Sequence, residues 1–437
     1  VNDRRRGYHE DEFPTDELRV PHGQARRRQP VGEERRAEPG RVGPSRANRR
    51  REAGAAGRKR RGRALAVVLG ALVLVVVIAG GAYGGMKLFG GEDAPADYAG
   101  PGGNAVVIEV RDGDTADQIA TEMVDKDVTA SGAAFYNAAV QNSAMNSVQP
   151  GFYRMKSQMA AADAVTTLVD PESRVGQIVI AEGRQLHDSA DVNTGAVKKG
   201  IYTLISEASC AVGQGVPCVS YDELNAAGAG SDSSALGVPE WATDAVARVP
   251  DRDRQLEGLI AAGTFNFDPS ASAADILKQL VSESSAIYEN TGLVNAGAQS
   301  GLDPYQTLVA SSLIEREALP NDFAKVARVI LNRLAIGQRL EFDSTVNYAL
   351  DTTEVATTDG DRAAVTPWNT YAMTGLPATP ICSPSVGAVQ AAENPEPGNW
   401  LYFVTINAAG DTLFTDNYEQ HLANIQQVEP GFLASGR

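Results

Sequence analysis

Histidine and cysteine are scarce in this chain, with four of one and three of the other in 437 residues. Beyond residue 90 only His187 and His421 remain, and neither stands at zinc-ligand spacing from Cys210, Cys218 or Cys382. No metal site and no organic cofactor are expected. Positive charge is short in the same region. Residues 90–437 hold 19 Lys+Arg against 45 Asp+Glu, a net of −26, which argues against nonspecific nucleic-acid binding, since that needs a basic face. Charge of either sign is missing altogether from 64 to 86, where the centre reads LAVVLGALVLVVVIAG.

Twenty-three uncharged residues give roughly 34 Å of helix, enough for a ~30 Å hydrocarbon layer. A cleaved signal peptide has an apolar part of only ~7–15 residues behind a short basic leader, whereas here 63 residues precede the run. Those residues, 1–63, hold 19 Lys+Arg and 10 Asp+Glu, a net of +9, crowded toward the apolar run. The positive-inside rule places them in the cytoplasm and the remainder outside. Rich in Arg, Glu, Pro and Gly, the tail cannot bury enough surface to offset its ordering entropy and reads as disordered. The chain is also too long for one ordinary domain of ~100–200 residues.

The expected organisation is therefore a disordered cytoplasmic tail (1–63), one N-terminal transmembrane helix (64–86), a Pro/Gly/Ala linker (87–104) and an α+β extracytoplasmic region. In that region VVIEVRDGDTADQIATEMVDKD (106–127) predicts a strand, a turn at Asp112-Gly113 and a helix capped by Thr115, with Ile119 and Met123 on one face. A looser copy, with a strand, Glu182-Gly183 and a helix, is expected over 177–193. Residues 207–250, rich in Ala, Gly and Ser, read as an irregular insertion, within which Cys210 and Cys218 could close a disulfide. Cys382 is left as a buried small residue. Asp303 and Pro304 open a helix that stops before Pro320, and Phe323, Val326, Ile330 and Leu334 mark the apolar face of the next, ended by Gly337.

Chemistry concentrates in SSLIEREA (311–318). Glu315 and Glu317 are two positions apart, roughly 200° around a helix, so they point to different faces and cannot act as a close pair. Glu315 follows Leu313-Ile314. A carboxyl held against apolar neighbours favours its protonated form, which suits general-acid work. Glu317, flanked by Arg316, reads as a structural partner for a nearby Arg. The plain alternative for Glu315 is an ordinary helix-surface glutamate.

SSLIEREA is followed by VARVILNRLAIGQRLEFDSTVNYAL (326–350), WNTYAMTGLPATPICSPSVGAVQAAENP (368–395) and WLYFVTINAAGDTLF (400–414). With PGFYRM, IVIAEGRQL and LEGLIAAGTFNFDPSAS upstream, this order resembles the YceG/MltG family of endolytic murein transglycosylases over about residues 105–425. The resemblance implies a LysM-like module (105–195) ahead of a mixed α/β catalytic domain (196–437). It implies cleavage of nascent peptidoglycan strands between MurNAc and GlcNAc, leaving 1,6-anhydro-MurNAc ends. It places the catalytic glutamate, the first of the helix motif, on Glu315. Asp343, Gln338, Asn369, Thr370 and Tyr371 become candidate substrate-binding residues, with Asp343 also placed to orient Glu315. Trp368, Ser344 and Ala378 depart from the family's Tyr, Pro and Pro, and GDTLF lacks its His. The implied partners are glycan strands, with peptidoglycan synthases as candidate protein partners and a setting in cell-wall growth or cell division. Three alternatives stay open: a non-catalytic glycan-binding scaffold, a hydrolase pairing Glu315 with Asp343, and a purely spacing role for the LysM-like module.

Overall fold

The structure, a computed structural model, describes residues 94–430 apart from 193, 214, 296–299 and 354–356. The expected tail and membrane helix lie outside the described residues. Among the described residues no helix is long and apolar enough to cross a membrane.

The end of the linker is tied down, for Asp97 accepts the Ala161 N–H at 2.9 Å and Tyr98 donates to Asp127 at 2.7 Å. Strand β1 (Ala105–Val110) then leads through the Asp112-Gly113 turn to α1 (Ala116–Asp125), α2 (Gly132–Ala139) and β2 (Gly151–Lys156). Thr115 and Gln118 form a reciprocal capping box on α1, satisfying two otherwise orphaned N–H groups. Helix α3 (Ala161–Leu168) and the short β3 (Arg174–Val175) complete an antiparallel sheet of order β1-β2-β3. Ile108, Met123, Phe135 and Met155 are fully buried in its own core.

The boundary expected at 195 falls instead at one residue. Val175 still belongs to the first sheet, while β4 (Gln177–Ile180) sends Ile178 and Ile180 into a different core. Gly176 makes the turn at φ +65°, and a Cβ there would lie 2.1 Å from the Phe267 carbonyl oxygen. The helix expected before 193 is absent. Leu186 N–H goes to the Glu257 carboxylate, and Arg184 pairs through its backbone with Ser383, so these groups are taken by tertiary partners. The chain runs instead through β5 (Ser189–Asp191) and β6 (Val197–Lys198).

The stretch expected to be irregular is largely helical: α4 (Ile201–Cys210), α5 (Tyr221–Gly228) and α6 (Glu240–Ala247). Its many alanines are good helix formers but blur the apolar period that would have revealed them. Ser220 and Glu223 form a capping box on α5, and Leu224, Ala242 and Val246 are fully buried. Cys210 and Cys218 are joined in a disulfide with Cα atoms 4.7 Å apart, while Cys382 is free and buried.

Strand β7 (Gly263–Asn266) pairs antiparallel with β4, and α7 (Ala273–Glu289) packs beneath. Next come α8 (Pro304–Glu317), α9 (Phe323–Ala335) and α10 (Asp343–Ala349). Strand β8 (Thr352–Thr353) adds parallel to β5, and α11 (Asp359–Ala363), α12 (Val386–Glu393), the β9–β10 hairpin (Tyr402–Thr405, Thr412–Thr415) and α13 (Tyr418–Ile425) follow. Helix α8 is the axle of this part. Asp303 caps it, Pro304 fills its first position, and Leu308, Ser311, Ser312, Leu313 and Ile314 are all buried, because α9 and α12 cover its sides.

One buried carboxyl holds several of these elements together. Glu257 accepts Leu186 N–H and Tyr348 Oη–H, each at 3.2 Å, and its burial, the dominant effect, pushes its carboxyl up to about 7. A carboxyl raised on folding stabilises most below its unfolded value of ~4.3, and that contribution is lost as pH rises through about 7. Between pH 5 and 8 the protein should therefore lose on the order of 3 kcal/mol more stability than its Glu257→Gln variant. Urea titrations at the two pH values measure this, and parallel losses would refute it.

Candidate active site

The last turn of α8 emerges from the core carrying Glu315, Arg316 and Glu317, and the helix ends there because Ala318 is extended (φ −139°). The two carboxylates do diverge. Glu315 turns toward α12, where its Oε2 accepts the N–H of Ser385, the cap residue of that helix, at 3.0 Å. A carboxylate at a helix N-terminus satisfies an orphan donor and meets the positive end of the dipole.

Glu317 faces the other way, toward α10. It was expected to pair with an arginine, yet no ion pair to it forms among the described residues. Ser344 Oγ donates to its Oε1 instead. The residue keeps some contact with solvent while its carboxyl is packed away, and this desolvation is the main cause that lifts it to about 7. The neighbouring Asp343 charge raises it further, against the lowering effect of the Ser344 bond and Arg316. Its place at the C-terminal end of α8 acts in the same sense, since the dipole there disfavours negative charge.

Asp343 is held from three sides through one oxygen. Its Oδ1 accepts Thr357 Oγ1–H at 2.7 Å, Tyr371 Oη–H at 2.8 Å and Arg362 Nε–H at 3.4 Å. Arg362 also stacks over the Tyr371 ring, 5.2 Å from its centroid. Burial and the Asp343 charge raise the Tyr371 phenol, keeping it a donor. Asp343 and Tyr371 thus join Glu317, not Glu315, together with Ser344, Thr357 and Arg362.

The other candidates lie elsewhere. Asn369 is buried and spends its Nδ2 on the carbonyls of Asp361, Arg362 and Ala364, anchoring its loop. Thr370 is fully buried, with its Oγ1 between Thr345 Oγ1 and Phe342 N. Their contribution is to fix Tyr371 and the start of α10. Gln338 follows Gly337 with its N–H on the Arg333 carbonyl at 2.9 Å and adds no side-chain bond to the cluster. Trp368 is buried, with Nε1 donating to Thr379 at 2.8 Å. Among the described residues no group of His, Cys, Asp and Glu could hold a metal ion.

A proton-carrying glutamate beside a fixed carboxylate and a tyrosine, at the open end of a buried helix, is the arrangement of an acid–base enzyme. The chain belongs to the YceG-like family, whose profile matches residues 108–427. It is 31% identical over 168 residues to the endolytic murein transglycosylase of Bacillus subtilis, a match covering 38% of this chain and 46% of that protein. It is 25% identical over 180 residues to the protein of the same name from Streptococcus pneumoniae R6, covering 40% of this chain and 32% of that one. The chain therefore spans less than half the length of these curated relatives. A crystal structure of a YceG-like protein from Listeria monocytogenes superposes with a TM-score of 0.47 at 24% identity, covering 73% of this chain and 99% of its own.

Proposed function

We propose that this protein is an endolytic lytic transglycosylase of peptidoglycan and that Glu317, rather than Glu315, is its general acid and base. The observation that carries the assignment is the Glu317 carboxyl, lifted to about 7 in the Asp343–Ser344–Tyr371 cluster. Family membership and the names of the relatives support the substrate class. Protonated Glu317 donates to the glycosidic oxygen as the bond from C1 of MurNAc to O4 of GlcNAc breaks. The C6 hydroxyl of the same MurNAc attacks C1, and the Glu317 carboxylate takes the hydroxyl proton. The products are a free 4-hydroxyl and a 1,6-anhydro ring, with no water consumed. An attacking group already in the substrate supplies proximity without a protein nucleophile. Asp343, fixed by Tyr371, Thr357 and Arg362, sets the field that keeps Glu317 protonated.

The test is product analysis on uncrosslinked strands. Anhydro ends are expected; reducing ends would favour hydrolysis, and no cleavage by folded protein would favour a glycan-binding scaffold. Because the acid must start protonated, kcat/KM should fall as pH rises above about 7. Asp343→Asn removes a raising charge, so the alkaline limb should move to lower pH. A limb that stays in place would remove Asp343 from this role.

We also read β1–α1–α2–β2 as a LysM-like, glycan-facing module, a reading supported by its strand–helix–helix–strand order. The uncharged run at 64–86 and its Arg-rich flank support a single-pass anchor with the catalytic region outside, where the Cys210–Cys218 disulfide would persist.

A further inference from the structure

Three cations gather on the Arg316 side of the α8 terminus. Gly183 packs against the Arg316 side chain so closely that a Cβ there would sit 3.7 Å from Nη1. The next residue, Arg184, is held by backbone bonds to Ser383, and its Nη1 donates to the Lys199 carbonyl at 2.7 Å. That carbonyl directly follows Lys198, at the end of β6. The Arg184 Nε is buried with no acceptor. Among the described residues no carboxylate comes within ion-pairing distance of Arg184, Lys198 or Arg316. Glu315, the carboxylate beside them on α8, is turned to Ser385, and Glu182 stands exposed on the preceding turn.

A folded protein seldom gathers like charges without a partner, since each raises the cost of the others. The strain shows at Lys198. Although its side chain reaches solvent, desolvation and then the Arg316 and Arg184 charges disfavour its ammonium form. An anion arriving between the three would relieve that repulsion and give Arg184 Nε an acceptor. The cluster is not needed to hold the fold: the β5–β6 ladder is made by backbone groups, and α8 is fixed by its apolar core.

We propose that Arg184, Lys198 and Arg316 form a carboxylate-binding site at the mouth of the cleft, which receives the acidic group carried on the MurNAc O3 of the strand. The proposal rests on the transglycosylase reading for its substrate. In peptidoglycan the carboxylate has two sources: the free lactyl group of a strand stripped of its peptides, or the carboxylates of the stem peptide on an intact one. A planar carboxylate suits two guanidinium groups, which can each donate in parallel. The site would make the enzyme favour muramyl-bearing, charged strands over neutral glycan and would orient MurNAc rather than GlcNAc on the C1 side of the bond.

Binding by the full chain carrying Glu317→Gln tests this without turnover. Three strand preparations of equal length are compared: peptide-bearing, peptide-stripped, and stripped with the lactyl carboxyls converted to methylamides. Charged strands should bind on the order of tenfold more tightly than the methylamides, and the margin should shrink as salt screens it. Whichever charged strand binds better identifies the source. Arg184→Gln with Lys198→Gln should erase the margin while leaving methylamide binding unchanged, and Arg184→Lys with Lys198→Arg should keep most of it. Equal binding of charged and neutral strands, or a margin that survives the double glutamine variant, would overturn the proposal. Failure of wild-type protein to cleave any strand would sink the transglycosylase reading separately, with the binding comparison still deciding this one.

Discussion

Glu317→Gln should lower kcat for strand cleavage by about 10²–10⁴-fold, with strand binding unchanged to within a few-fold. Gln keeps the size of the side chain and can still accept the Ser344 hydroxyl, so the fold around α10 should persist. What it loses is the proton exchanged between the glycosidic oxygen and the C6 hydroxyl. Glu315→Gln is the matched control. Its amide oxygen can still accept the Ser385 N–H, so activity should fall by no more than roughly tenfold, the cost of one charge-assisted bond at a helix start. Turnover measured on both variants, with melting temperatures to confirm folding, decides between the glutamates. The reverse ranking would return the catalytic role to Glu315.

Arg254→Ala should be the most damaging single change to stability. Arg254 is 9% exposed, and its Nη2 donates to both carboxylate oxygens of Asp351 at 2.7 and 2.8 Å. Its guanidinium lies 4.7 Å from the Tyr348 ring centroid and 5.4 Å from that of Trp368. It is also the cation that offsets the buried Glu257. Removing it leaves two carboxylates short of their counter-charge, one of them fully buried, and opens a hole against two aromatic rings. Breaking a buried pair from one side costs about 3–5 kcal/mol. Lys199→Ala, which breaks the exposed pair with Glu207, should cost less than about 1 kcal/mol. Denaturant midpoints compare the two, and a similar small loss in both would show that the Arg254 network contributes little.

The parts of this molecule that could be read from sequence are those where a local pattern decides the outcome. Thr115 and Gln118 announce α1, and Asp303-Pro304 and Gly337 mark the limits of α8 and α9, because caps and breakers act within a turn. Residues 207–250 hid three helices because alanine leaves no apolar stripe to find. Spacing alone shows that Glu315 and Glu317 face apart, but not which face meets the cleft. That depends on Ser344, Asp343 and Tyr371, brought from 27 to 54 positions away in the chain by the packing of α10 and its loop. Likewise, nothing in the order Asn369-Thr370-Tyr371 says that the first two lock a loop and only the third reaches Asp343. Arg254 and Glu257 carried no motif of their own, and their importance appears only when Leu186, Tyr348 and Asp351 converge on them.

The junction at Gly176 has a mechanical consequence. Val175 ends one sheet and Gln177 begins the next, and on either side Arg174 and Gln177 both donate to Asn266 Oδ1 at 3.1 Å. With one residue between them and a shared clamp, there is no slack for a swivel. A pull on the first sheet therefore passes directly into the strand pair that carries Gly263–Asn266. The leading module is a lever arm rather than a tether.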